Sequence, residues 1–221
     1  MAAAAQKVAA AAVAAALSIS SCAGTGGEFD LRNGDLLFQV GADSAIGSAI
    51  QDATSRGGGL PFTHVAIAEV TADGTVRIIE ATGSGGVCRT ELADFLARSA
   101  QIDGRPAVAV GRVAADEEVL AAAVERAAGF IGQPYDWWYL PDNGRMYCSE
   151  LVYESFLYSG GGHIFASQPM NFRAGDGTMP RFWEELFDRL GEPVPEGVDG
   201  TNPAAMSQQE CVKIVGRSYR E

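Results

Sequence analysis

Residues 147–152 read Tyr-Cys-Ser-Glu-Leu-Val and open a segment in which apolar and small side chains recur at three- and four-residue steps. This spacing predicts an α-helix with one apolar face, which the three glycines at 160–162 would end. Cys148 then lies in or near the first turn. Unpaired backbone N–H groups and the positive end of the helix dipole favour a thiolate there, so the stretch predicts a nucleophile. The alternative is a buried structural cysteine, because free cysteine is among the most buried residue types.

Length and charge limit the classes of function open to the chain. Its 221 residues, of which 47% are hydrophobic and 20% charged, suffice for one full-sized core, so we expect one domain. The formal net charge is −12, and no cluster of lysine and arginine is present. A nucleic-acid partner is therefore not expected, because its phosphates would be repelled.

The first 21 residues differ in composition from the rest of the chain. They are rich in alanine, carry one charge, at Lys7, and contain an uncharged run at 8–19 that is short for a bilayer span and typical of a signal peptide. The sequence Ile-Ser-Ser-Cys that ends at Cys22 resembles a bacterial lipobox, which implies cleavage before this cysteine and a lipid on its thiol. The alternative is a flexible alanine-rich leader.

We therefore expect a lipoprotein signal peptide at 1–21, a tether at 22–28 and a single domain at 29–221. The lipid would hold the protein on a membrane of the bacterial cell envelope, as a periplasmic or outer-membrane lipoprotein. Export to an oxidising compartment also makes Cys88 and Cys211 candidates for a disulfide.

A β-hairpin is the clearest strand pattern, because two strand-like runs flank the turn sequence Ala-Asp-Gly. A three-residue loop with a left-handed Gly74 would pair Thr71 with Thr75. His64 and Glu80 would then be diagonal neighbours on one face, about 7–8 Å apart at Cα. A two-residue turn would put them on opposite faces. A catalytic role for the two together therefore requires the longer loop.

The remaining patterns predict other strands and helices along the chain. The predicted strands lie at 35–40, 86–89, 107–113 and 212–215, and the predicted helices at 42–53, at 91–99, from Asp116 as the cap to about Gly132, and at 179–187.

A thiol hydrolase also needs an imidazole and a group that orients it. The chain has two histidines. His163 lies beyond the helix that Cys148 begins, so at 1.5 Å per residue it should be roughly 20 Å from the thiol. His64 therefore remains as the base, with Glu80 as the orienting carboxylate. Each has a structural alternative: His64 as a hydrogen-bonded core group and Glu80 as an edge charge that blocks aggregation.

Other site chemistries find less support. Glu150 competes for the carboxylate role but lies two residues along the helix from Cys148, about 200° around its axis. The cysteines and histidines show no paired CxxC or HxxxH spacing, and no GxxxxGK[ST], GxGxxG or GxSxG sequence occurs. We expect no metal and no cofactor.

Two pairs of segments resemble the NlpC-type cell-wall peptidases. Gly-Gln-Pro-Tyr-Asp at 132–136, followed by 147–153, resembles their nucleophile segment, and Asn-Gly-Asp-Leu-Leu-Phe at 33–38, followed by 63–67, resembles their histidine segment. In those peptidases the cysteine segment comes first, whereas here it comes last. This permuted order, with Cys-Ser-Glu-Leu-Val and the tail at 193–203, is similar to the YiiX/YaeF-like permuted papain-fold amidases, over about residues 29–216.

The resemblance implies an α+β, permuted papain-like fold in which a small antiparallel sheet or barrel packs on the nucleophile helix. It also implies a triad of Cys148, His64 and Glu80. Tyr135 matches a tyrosine that shapes the substrate cleft in NlpC-type enzymes, and Asp35, in the histidine segment, is a second candidate for substrate binding.

These observations predict a cysteine hydrolase that cleaves an amide bond through a thioacyl-enzyme. Its substrate would be a small peptide or acyl compound, with peptidoglycan fragments as one candidate. Two alternatives stay open: an acyltransferase or lipid esterase of the same fold, and a non-catalytic ligand-binding lipoprotein.

Overall fold

The computed structural model of the protein describes residues 29–41, 44–54 and 62–219. The predicted signal peptide at 1–21, the tether at 22–28 and the predicted lipidation site Cys22 lie outside these residues. Among the helices of the described part, none has both the length and the apolar composition needed to cross a bilayer.

An antiparallel sheet of six strands forms the centre of the fold, in the order β10-β7-β1-β2-β3-β4. The sheet is open, with β10 and β4 as its edge strands. Of the two predicted forms, a small antiparallel sheet or a barrel, the structure therefore has the sheet. Its strands are β1 (Leu36–Gln39), β2 (His64–Val70), β3 (Val76–Thr82), β4 (Gly86–Glu91), β7 (Val108–Val113) and β10 (Val212–Arg217). Two small ribbons pair β5 (Gln101–Ile102) with β6 (Arg105–Pro106) and β8 (Gln168–Pro169) with β9 (Asp199–Gly200).

Helices cover both faces of this sheet. They are α1 (Ala45–Thr54), α2 (Leu92–Ala97), α3 (Glu117–Gly129), α4 (Cys148–Ser155), α5 (Arg181–Leu190) and α6 (Pro203–Met206). Helix α4 packs against β2 and β3 and also contacts α3 and α6. The mixed helix and sheet architecture agrees with the predicted permuted papain-like fold, in which the nucleophile helix lies on the sheet.

Alternate side chains of the central strands enter two hydrophobic clusters, which is the two-residue period expected of strands buried on both sides. The larger cluster lies with α4 and includes Phe38, Val65 and Ile67. The smaller lies with α2 and includes Leu37, Ala66, Ile78 and Phe95. Glu80 is two residues beyond Ile78 on β3, so it shares the face covered by α2.

The predicted hairpin register is confirmed. Ile67 lies opposite Ile79, and Val70 lies opposite Val76. The Thr71 N–H donates to the Thr75 carbonyl over 3.0 Å, and Gly74 has a φ of 83°, a left-handed conformation that glycine adopts without steric cost. The loop therefore has three residues, as the catalytic interpretation requires.

Two helix boundaries differ from the prediction. Helix α4 ends at Ser155, well before the glycines, because Phe156 leaves the helical conformation with a ψ of 86°. Helix α3 ends at Gly129, three residues before the predicted end near Gly132. Asp116 does precede α3 as its N-cap residue, but its side chain makes no capping hydrogen bond.

The candidate disulfide between Cys88 and Cys211 is wrong, because both are free thiols. Cys88 lies on β4, whereas Cys211 directly precedes β10, and these strands are the two edges of the sheet. Five inter-strand spacings of ~4.8 Å put the edges roughly 24 Å apart. A disulfide needs Cα atoms within about 7 Å.

Candidate active site

The start of α4 holds the candidate nucleophile. Cys148 is the first residue of this helix, follows an extended Tyr147 and is 5% exposed. The carboxylate of Glu150 accepts a hydrogen bond from the Tyr147 N–H over 3.2 Å, which is one half of a capping box and holds the first turn. The N–H of Cys148 belongs to the first turn, whose amides have no partner within the helix. A polarised amide therefore lies next to the sulfur.

His64 joins this thiol to a carboxylate. Its Nε2 lies 2.7 Å from Oε2 of Glu80, whose side chain is fully buried. The same ring lies close enough to Cys148 for the thiol to influence the pKa of His64. Because Glu80 occupies Nε2, Nδ1 is the nitrogen that remains for the sulfur. The structure therefore brings the three residues predicted from the sequence close together.

The charge states of His64 and Glu80 depend on each other. Burial alone would lower the pKa of His64, but hydrogen bonds and charge interactions with Cys148 and Glu80 outweigh it and raise the pKa from 6.5 to about 10. Burial alone would raise the pKa of Glu80, but its hydrogen bond to His64 and the neighbouring cations lower it from 4.5 to about 2. At neutral pH the site therefore holds an imidazolium against a carboxylate.

Two further residues hold Glu80, and the sequence interpretation missed both. The Thr90 hydroxyl donates to Oε1 over 2.5 Å, and the Arg98 guanidinium donates to the same oxygen. Thr90 lies two residues beyond Cys88, which is opposite Glu80 on β4, so the alternation of that strand could have indicated it. Arg98 follows the last residue of α2, and only the packing of that helix brings it to the carboxylate.

Gln39 holds the end of α2 that carries Arg98. It lies opposite His64 on β1, and its amide donates to the Phe95 carbonyl over 2.8 Å and to the Ser99 hydroxyl over 2.7 Å. Because its N–H groups are used here, Gln39 braces the helix that positions Arg98.

A narrow cleft opens beside Cys148. Tyr135 lines it, as predicted, and its hydroxyl lies 3.4 Å from that of Tyr139. Burial is the main reason that the pKa of each of these two phenols is raised, so both are neutral at physiological pH. The cleft is lined by Ile50, Ala53, Thr54, Tyr135, Tyr139, Tyr147, Cys148, Ser149, Met170, Asn171, Phe172, Trp183, Thr201, Asn202 and Pro203.

A family model described as permuted papain-like amidase enzyme, YaeF/YiiX, C92 family, matches residues 30–216. The chain belongs to this amidase family. Its sequence is 25% identical over 188 residues to the uncharacterised protein YiiX of Escherichia coli strain K12, a match that covers 85% of this chain and 87% of YiiX.

The fold of this family is also seen in a solved structure. The crystal structure of metalloprotein yiiX from Escherichia coli O157:H7 superposes with a TM-score of 0.70 at 23% identity, covering 87% of this chain and all of that one. This likeness shows the fold. In the described part of this family member, no group of three or more histidine, cysteine, aspartate or glutamate residues is arranged to hold a metal ion.

Asp35 is not brought to the cleft of this amidase-family chain, which corrects its predicted role in substrate binding. Its carboxylate is 2% exposed and accepts two hydrogen bonds from Arg112, over 2.9 and 2.8 Å. It lies just before β1, whereas Gln39, four residues on, is the residue opposite His64. At ~3.3 Å per residue it is roughly 13 Å from that end of the strand. Asp35 therefore fastens β1 to Arg112 on β7.

His163 and Glu150, the alternatives to His64 and Glu80 for the base and the carboxylate, lie away from the candidate triad. His163 stacks on Tyr153 at 3.9 Å and lies 3.6 Å from Glu154, beyond the far end of α4 from Cys148. Glu150 caps the helix start, as described above. Burial raises its pKa to about 8, with the hydrogen bond from Tyr147 opposing and nearby carboxylates reinforcing the shift. Neither residue is part of the candidate triad.

Proposed function

We propose that the protein is a cysteine amidase in which Cys148 is the nucleophile, His64 the general acid and base, and Glu80 the group that orients the imidazole. One observation carries the proposal: Nε2 of His64 lies 2.7 Å from the Glu80 carboxylate, and the Cys148 thiol interacts with the same ring. A nucleophile, a base and an orienting group in hydrogen-bond reach of one another are what acyl transfer requires.

For acylation, Cys148 must react as a thiolate beside the protonated ring of His64. The sulfur attacks the carbonyl carbon of the substrate, and the carbonyl oxygen becomes an oxyanion. The N–H of Cys148 in the first turn of α4 donates to this oxyanion. When the tetrahedral intermediate collapses, the carbon–nitrogen bond breaks and the imidazolium gives its proton to the leaving nitrogen. An amine departs, and a thioester remains on Cys148.

Deacylation reverses the role of His64. The neutral imidazole takes a proton from water, and the resulting hydroxide attacks the thioester carbonyl. The carbon–sulfur bond breaks, a carboxylic acid leaves, and the ion pair is restored. Glu80 holds the Nε2–H throughout and stabilises the imidazolium, so Nδ1 stays directed at the sulfur.

An acyl-trapping experiment tests this mechanism. The purified chain is incubated with muropeptides, N-acyl amides and acyl esters, quenched in acid and measured by intact-protein mass spectrometry. We expect an acyl adduct that peptide mapping assigns to Cys148, no adduct in Cys148→Ala, and slow adduct formation in His64→Ala. The control variant His163→Ala, which keeps His64 and replaces the second histidine, should be acylated like the wild type.

Three outcomes separate the alternatives. Turnover by Cys148→Ala, or acylation of Cys88 or Cys211 instead, would contradict the mechanism. Binding of a compound without any adduct or turnover would favour a ligand-binding lipoprotein. An adduct that resolves faster with an added amine or alcohol than with water would favour an acyltransferase.

We further propose that Cys22 is lipidated and that the domain works in the cell envelope. The lipobox-like sequence that ends at Cys22 supports this proposal. Metabolic labelling with an alkyne fatty acid should mark the wild type and not Cys22→Ala. Equal labelling of both would overturn the proposal.

A further inference from the structure

The cleft beside Cys148 is unusual for a site that would receive a charged peptide. Among the described residues that line it, none has an acidic or basic side chain. Five of its fifteen lining residues are aromatic. Of these, Tyr139 packs at 5.2 Å from Tyr147, 5.8 Å from Phe172 and 5.4 Å from Trp183, measured between ring centroids. An ionised group that entered would lose its hydration without gaining a counter-ion.

The polar groups of this cleft are neutral ones. Ser149 Oγ, Thr201 Oγ1 and Trp183 Nε1 belong to lining residues, are buried and have no hydrogen-bond partner within the described part of the chain. The Tyr147 hydroxyl accepts from the Thr201 N–H over 3.1 Å, and as a donor it meets the Met170 sulfur at 4.0 Å. A mainly apolar pocket with a few neutral donors is the pattern of a site for a neutral, mostly apolar ligand.

Close approach of Met170 and Tyr147 to the cleft depends on Gly200. A Cβ added there would lie 2.6 Å from the Met170 sulfur and 2.8 Å from the Tyr147 hydroxyl oxygen. Any larger residue would therefore displace these two lining side chains. The apolar wall beside Cys148 is a packed feature of the fold.

We propose that this cleft binds the acyl side of the scissile bond and selects an uncharged, apolar acyl group, so that the substrates are amides or esters of fatty or aromatic acids. The inference rests on the proposed function, because the acyl group is the part of the substrate that becomes bonded to the sulfur when Cys148 attacks. It narrows the substrate class from amides in general to those with a hydrophobic acid component.

A set of three substrates with one leaving group tests the selection. Hexanoyl, adipoyl and 6-aminohexanoyl p-nitroanilides have chains of equal length that end in a methyl group, a carboxylate and an ammonium group. We expect kcat/KM for the hexanoyl compound to exceed that for each charged compound by roughly 10- to 100-fold, because burial of an unpaired charge is costly. A charged acyl group that reacts as fast as the hexanoyl group, or faster, would overturn the inference.

A pair of Met170 variants tests whether this cleft is responsible. Met170→Lys should reduce the preference for hexanoyl over adipoyl at least 10-fold, because it supplies a counter-ion, whereas the apolar exchange Met170→Leu should keep the order of preference. If both variants show the wild-type ratio, the acyl group binds elsewhere. Should Met170→Lys fail to fold, the wild-type comparison of the three substrates still decides.

The same assay separates failure of this inference from failure of the proposed function. If Cys148 forms adducts from charged and uncharged acyl groups equally, the mechanism stands and only the selection is wrong. If no substrate releases p-nitroaniline and no adduct forms at Cys148, the proposed function fails, and the inference that rests on it fails as well.

Discussion

Two buried carboxylates lie on the central sheet, and each is paired with a cation. Asp35, just before β1, accepts two hydrogen bonds from Arg112, and Glu80, on β3, accepts one from His64. Both were predicted as site residues. Both accept from a guanidinium, which keeps its proton at all relevant pH values, but Glu80 also has an imidazole partner, which can give its proton away.

The partner of a buried carboxylate indicates what the ion pair can do. A pair in which neither member can release a proton near neutral pH serves to fasten elements of the fold. A pair that contains histidine, with a third reactive group on the free ring nitrogen, can carry acid–base chemistry. Burial and short distances are common to both pairs and therefore do not distinguish them.

The largest expected effect concerns His64. His64→Ala should lower kcat/KM for an acyl amide by roughly 10³–10⁴-fold, because the base and the proton donor for the leaving group are both lost. Asp35→Asn, measured in the same assay, should stay within roughly tenfold of the wild type. Equal losses in the two variants would mean that the two pairs do not differ in kind.

The next effect is on stability and concerns the other pair. Asp35→Asn should lower the free energy of unfolding by about 3 kcal/mol, because it leaves the partly buried Arg112 without its counter-ion. Urea denaturation monitored by circular dichroism measures this. Asp116→Asn is the matched control, since Asp116 is exposed and its side chain makes no capping hydrogen bond. A loss in the control as large as in Asp35→Asn would contradict the role of the ion pair.

The pH dependence of stability sharpens the contrast. The pKa of His64 is raised to about 10 in the folded state, so its contribution is fully present below the unfolded value of about 6.5 and is lost as pH rises through 10. The difference in unfolding free energy between wild type and His64→Gln should therefore fall by about 4 kcal/mol between pH 6.5 and 10, at about 1.4 kcal/mol per unit of pKa difference. Urea denaturation at several pH values measures it.

Cys148→Ala serves as the comparison for this pH experiment. It removes the hydrogen bond and charge of the sulfur, so the pH at which the His64 contribution disappears should move down. A difference between wild type and His64→Gln that does not change with pH would contradict the ion pair.

The smallest effect concerns Arg98, which acts through Glu80. Arg98→Met should lower kcat/KM about tenfold and move the acid limb of the pH–rate profile upward, because the pKa of Glu80 loses one cause of its lowering. Arg77→Met is the matched control, since Arg77 makes an exposed ion pair with Glu91 over 3.5 Å. An unshifted acid limb in Arg98→Met would leave Arg98 with a structural role alone.

Local features of the site were predictable from the sequence. The sequence around Gly74 predicted a hairpin with two possible registers, one of which puts His64 and Glu80 on one face, and the periodicity after Tyr147 placed Cys148 at the start of a helix. Features that depend on contacts between distant elements were not predictable in this way. The hydrogen bond of Arg98 to Glu80 needs the packing of α2, and the ion pair of Asp35 needs β7 beside β1.

Neighbouring residues were enough to predict the helix that begins at Cys148, the presence of the hairpin between β2 and β3, and the permuted order of the family motifs. The folded chain was needed to choose the register that aligns His64 with Glu80 and to show which groups meet: Cys148 with His64, Asp35 with Arg112, and Cys88 apart from Cys211. The physical reason is that strand order and helix packing join segments far apart in the chain, and hydrogen bonds form only between atoms that this packing brings within about 3 Å.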